Sequence, residues 1–122
     1  MDQARLDHLL DLLVAVGPSG HEEPASDVWR ADAATWADRV ERDVLGSSYA
    51  HVGPEDGPAV LLLGHIDEIG LIVTHVEDDD SEHPGLLRVA SLGTWDPQVL
   101  VGQRLLLRRP DGGTAIGVVG RA

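Results

Sequence analysis

Leu6, Leu9, Leu10, Leu13 and Val14 recur at the spacing of one helix face, with Asp2, Arg5, Asp7 and Asp11 around the rest of the cylinder. An amphipathic helix is predicted. Val16, Gly17, Pro18, Ser19 and Gly20 break it, and Ser19 followed three residues later by Glu22 reads as a capping box that opens a second helix. Pro24 fits the first turn of that helix, and Ala25, Val28, Trp29, Ala33 and Trp36 form its apolar stripe. Glu22 and Glu23 stand where the helix dipole favours negative charge.

Beyond the second helix the periodicity shortens. Residues 40–45 and 49–52 read as short strands around a Gly46-Ser47-Ser48 turn. A Gly-Pro-rich turn then leads to the unbroken apolar run Val60, Leu61, Leu62, Leu63, which is expected to be a fully covered strand. Ile69, Leu71 and Val73 alternate ahead of an acidic loop at 77–82. Residues 86–90, 104–108 and 114–119 are further strand-like runs, the last two separated by Pro110-Asp111-Gly112-Gly113. The shift from helix-rich to all-strand near residue 70 suggests two structural units, 1–70 and 71–122. The last strand has barely finished at Ala122, so the chain is expected to have been cut short.

Composition narrows the picture. With 122 residues, 43% of them hydrophobic, the chain is long enough and apolar enough for an ordinary globular domain of mixed α/β class. Aromatics are only 3%, so the expected large core anchors are Trp29, Trp36 and Trp95. A formal net charge of -12 repels phosphate backbones and anionic membranes, which argues against a nucleic-acid or membrane partner. The first segment, carrying Asp2, Arg5, Asp7, His8 and Asp11, is neither a signal-peptide core nor a membrane span, and a cytoplasmic location is the expectation. With no Cys, a metal would need His and carboxylate ligands.

Such ligands stand just past the apolar run, in Gly64-His65-Ile66-Asp67-Glu68-Ile69-Gly70. Open α/β sheets place ligands beyond the carboxyl ends of their strands, and extended residues two apart point the same way. His65 is therefore a candidate metal ligand, with Asp67 as the carboxylate that fixes its tautomer. The plainer reading is a strand-end pair bonded to local backbone. Glu68 is read as an exposed carboxylate rather than a further ligand. Asp78, Asp79, Asp80, Ser81, Glu82 and His83 lack the spacing of a calcium loop and read as a solvated turn. His8, His21, His51 and His75 read as surface or boundary histidines. There is no Gly-rich phosphate loop, Gly-x-Ser-x-Gly elbow or Cys nucleophile.

The ordered set Gly17-Pro18-Ser19-Gly20-His21-Glu22, Asp43-Val44-Leu45-Gly46, Leu63-Gly64-His65-Ile66-Asp67-Glu68-Ile69-Gly70, Trp95-Asp96-Pro97-Gln98-Val99-Leu100-Val101-Gly102-Gln103-Arg104 and Gly117-Val118-Val119-Gly120 resembles the N-terminal part of the glutamyl and deblocking aminopeptidases, dinuclear metallopeptidases that form tetrahedral dodecamers. The resemblance implies the N-terminal part of a zinc-peptidase-like α/β catalytic domain over 1–70, followed over 71–122 by the start of a β-barrel-like dimerisation domain. It implies His65 as a ligand to one of two divalent ions, zinc or cobalt, with Asp67 supporting it. Remaining ligands and the general base would lie beyond Ala122. Peptide substrates and a dimer-based homo-oligomer are implied for the full-length protein, and the isolated chain is expected to be inactive. The rival expectation is a non-catalytic short chain that acts through association alone.

Overall fold

The structure, a computed structural model, describes residues 2–77, 80 and 85–120. The predicted acidic turn at 78–83 therefore lies outside the described residues, apart from Asp80. Two helices come first: α1 spans Gln3–Val14 and α2 spans Glu23–Ala33. Three antiparallel hairpins follow. They are β1 (Arg39–Arg42) with β2 (Ser48–His51), β3 (Gly70–Val76) with β4 (Leu87–Leu92), and β5 (Arg104–Arg108) with β6 (Thr114–Val118). A single helical turn, α3 (Pro97–Leu100), lies between the last two hairpins. The class is mixed helix and strand, as expected.

Asp2 caps α1, its Oδ1 accepting from the Arg5 amide at 2.9 Å. α1 lies against α2, where Ala25 and Ala33 are the buried apolar residues. The predicted stripe of α1, Leu6, Leu9, Leu10, Leu13 and Val14, stays exposed. The capping box does not form. The N-cap of α2 is Glu22, with no side-chain cap bond, and Ser19 lies too far upstream to serve the helix. Pro24 is accommodated in the first turn as predicted, and Glu23 there bonds Arg42 Nη1 at 2.6 Å, tying α2 to β1.

The first hairpin turns earlier than its apolar pattern suggested. Asp43 Oδ1 accepts from the amides of Leu45 and Ser47, each at 2.9 Å, and Gly46 takes the positive φ of 99° that the turn requires. Val44 and Leu45 are consequently exposed turn residues rather than strand. Trp36, expected in the core, sits past the end of α2, exposed, with Nε1 donating to Asp32 Oδ2 at 2.9 Å. Trp95 does anchor: its half-buried indole donates to the Gly70 carbonyl at 2.8 Å, fastening the segment before α3 to the first residue of β3.

The largest departure concerns Val60, Leu61, Leu62 and Leu63. They form no strand and pair with none among the described residues, and they are 71–89% exposed. An apolar run states a demand for burial, but a strand exists through lateral hydrogen bonds, and each of the three hairpins satisfies its own. No helix among the described residues is long and apolar enough to cross a membrane.

The β3–β4 hairpin is closed down tightly at its base. Gly93 has φ 80°, and a Cβ there would lie 2.6 Å from Ile69 Cγ2. Gly93→Ala combines left-handed strain with overpacking and is expected to destabilise the fold by about 1–3 kcal/mol, measured by chemical denaturation.

Candidate metal-ligand step

His65 and Asp67 lie between the apolar run and β3. His65 Nδ1 is 3.0 Å from Asp67 Oδ1 and 3.0 Å from the Asp67 carbonyl oxygen. A carbonyl oxygen can only accept, so Nδ1 carries the proton and the neutral ring keeps its lone pair on Nε2. The His65 side chain is 84% exposed, against 39% for Asp67. An outward imidazole with a carboxylate behind it is the arrangement in which histidines ligate metals.

The second carboxylate oxygen is occupied as well. Ser19 Oγ donates a short hydrogen bond to Asp67 Oδ2 across 48 positions of sequence. Ser19 first, and His65 next, hold the Asp67 carboxyl below the usual carboxylate value, against the opposing pull of partial desolvation. Asp67 is therefore ionised at neutral pH and fixed through both oxygens.

Glu68 is exposed, yet its carboxylate is not idle. Its amide donates to the Gly17 carbonyl at 2.9 Å, and its Oε1 accepts from the Gly17 amide at 2.9 Å. The backbone bond belongs to a parallel bridge between Pro18 and Glu68, and the carboxylate reinforces it. The approach is close on both flanks: a Cβ on Gly70 would meet Pro18 Cβ at 2.8 Å, and one on the buried Gly17 would meet Ala25 Cβ at 3.1 Å. Ser19 and Glu68 were the contributions that local sequence reading missed. The signal that pointed to them was the Gly17-Pro18-Ser19-Gly20 segment itself.

Three other histidines have acidic neighbours after all. His8 lies 3.8 Å from Asp32, His51 3.4 Å from Glu41 and His75 3.8 Å from Glu77. Each is a single pair. Among the described residues no three His, Cys, Asp or Glu come together as a metal cluster. A catalytic zinc takes about three protein ligands, so these residues fit one ligand position and the support behind it.

The chain matches the model of the M42 glutamyl aminopeptidase family over residues 46–122. It is 33% identical over 91 residues to the glutamyl aminopeptidase of Lactococcus lactis, covering 73% of this chain and 24% of that protein. With the lysyl aminopeptidase of Pyrococcus furiosus it shares 37% identity over 84 residues, 69% of this chain and 22% of the relative. The solved structure of a TET aminopeptidase from a marine sediment archaeon of the Thaumarchaeota superposes with a TM-score of 0.87 at 32% identity, covering 98% of this chain and 32% of that one. The fold is that of an aminopeptidase-like chain. It belongs to the M42 glutamyl aminopeptidase family. It spans 22–31% of the length of the curated relatives it matches.

Two outcomes follow from this geometry. Glu68→Ala, which removes the acceptor for the Gly17 amide, is expected to cost about 1–2 kcal/mol in denaturant unfolding, with Glu68→Gln recovering most of it. Because the folded-state pKa of Asp67 lies below 3.8, its contacts should be complete above that pH and lost as pH falls through the lower folded value. A titration of the Asp67 carboxyl carbon by NMR, with a midpoint below 3.8, checks the sign.

Proposed function

We propose that this chain is the N-terminal part of a metal-dependent aminopeptidase and supplies the first ligand of its metal site. The observation that carries the reading is the exposed His65 ring, whose Nδ1 lies 3.0 Å from both the carbonyl and a carboxylate oxygen of Asp67 and leaves Nε2 as the ligating nitrogen. In this reading residues 1–70 begin the catalytic unit, and 71–122 begin a β-rich unit through which copies of the full-length protein associate.

His65 would hold one of two divalent ions, zinc or cobalt, through Nε2. Bound there, such an ion polarises a peptide carbonyl and lowers the pKa of a water. Asp67 keeps the proton on Nδ1 and raises the basicity of the ring. Ser19 and the Glu68 clamp hold that carboxylate in place. The remaining ligands and the proton-transferring carboxylate would come from polypeptide beyond these 122 residues, and the substrates would be peptides with a free N-terminus. The relatives' names cite side chains of opposite charge, glutamyl and lysyl, so the reading extends to the reaction and not to the residue removed.

The test is an aminopeptidase assay with added zinc or cobalt, run on the 122-residue chain and on the longer polypeptide that carries it. The short chain is expected to show no turnover, and activity from it would overturn the incomplete-site reading. In the longer polypeptide His65→Ala is expected to weaken metal binding by more than about 100-fold. Activity that survives metal stripping and the substitution would instead favour a metal-independent role.

A further inference from the structure

The Ser19 hydroxyl has no role in the helix that follows it, since α2 starts at Glu23 with Glu22 as its cap. It points to Asp67 instead, where it meets Oδ2 while His65 Nδ1 meets Oδ1. The turn carrying Ser19 is itself held twice. His21 N donates to the Pro18 carbonyl at 2.8 Å, and the Glu68 clamp grips Gly17 one residue before that proline. A carboxylate gripped at one oxygen by a fixed donor cannot swing about its last torsion, so its other oxygen stays opposite the imidazole. With Oδ2 released to water, Nδ1 would share its proton between a mobile carboxylate and the Asp67 carbonyl.

We infer that Ser19 is a positioning residue for the metal site: through Asp67 it holds the His65 ring in the orientation and tautomer that leave Nε2 free to ligate. The inference rests on the proposed role of His65, and it adds a third member, distant in sequence, to the His65–Asp67 pair. Its expected size is modest. Outer partners of metal-ligating histidines are typically worth 10–100-fold in metal affinity, and Ser19 stands one step further out. The Asp67 carbonyl remains as a second acceptor for Nδ1, which also argues for the lower end.

The experiment measures zinc affinity of the metal-stripped longer polypeptide by competition with a chromogenic chelator, with thermal unfolding of each variant in parallel. Ser19→Ala is expected to weaken zinc binding by about tenfold while the unfolding temperature of the metal-free protein stays close to that of the parent. Ser19→Thr, which keeps the hydroxyl, should stay within about twofold of the parent. In an Asp67→Ala background Ser19→Ala should add almost nothing, because the path from Ser19 to His65 has already been cut. An equal loss in both backgrounds, or none in the parent, overturns the inference. If Ser19→Ala does not fold, Ser19→Thr against the isosteric Ser19→Val makes the same comparison, and equal affinities there overturn it too. His65→Ala separates the two claims. Unchanged zinc affinity in that variant removes the ligand reading itself, whereas a large loss there beside no effect of Ser19→Ala removes Ser19 alone.

Discussion

Two hydrogen bonds between Gly17 and Glu68 join the helical start of this chain to the segment that carries its chemistry. The bond partners are 51 positions apart, so the clamp closes a long loop, and the entropy of that closure is offset by contacts clustered on both sides. Gly17 fits against Ala25 of α2, Pro18 against Gly70, and Trp95 reaches the Gly70 carbonyl from β4's far side in sequence. Ser19, two residues after Gly17, and Asp67, next to Glu68, are brought together beside it. One backbone bond and one carboxylate bond to Gly17 thus stand beside the side-chain site.

Around that clamp the packing is thin. Ala25 and Ala33 are buried, while Leu6, Leu9, Leu10 and Leu13 of α1 and the run at 60–63 are exposed. Two-stranded hairpins are marginal by themselves, and the three here do not merge into one sheet among the described residues. What gives the β3–β4 hairpin its place is the set of close approaches at its base, Ile69 against Gly93 and Pro18 against Gly70, where any Cβ would collide. Glycine at those two positions is a packing requirement, and at Gly93 a backbone one as well.

Local elements were legible because their causes are local. The α1 stripe, Pro24 in the first turn of α2, and the alternating runs that became β3 to β6 all announce themselves within a few residues. Misreadings arose where a side chain answered to something remote. Ser19 followed by Glu22 has the form of a cap, but a hydroxyl bonds the strongest acceptor within reach, and the ionised Asp67 is that acceptor. Glu68 is exposed as expected, but its bond to the Gly17 amide was not legible, because the donor lies 51 residues away in sequence. Trp36 carried the apolar phase of α2 one turn past where the helix ends, and its indole found Asp32 instead of a core.

His65 and Asp67 stand midway between these cases. Spacing alone determined that the two could face the same way beside the end of an apolar run, and the ordered motifs determined the family, because both are written in residue identity and order. The proton on Nδ1, the freedom of Nε2 and the grip of Ser19 were decided by tertiary structure, since hydrogen bonds are set by distance in space and the donor to Asp67 Oδ2 comes from 48 residues away. The apolar run at 60–63 marks the same division from the other side. Its composition states that it should be covered, and only a neighbouring strand, contributed by the fold, could make it one.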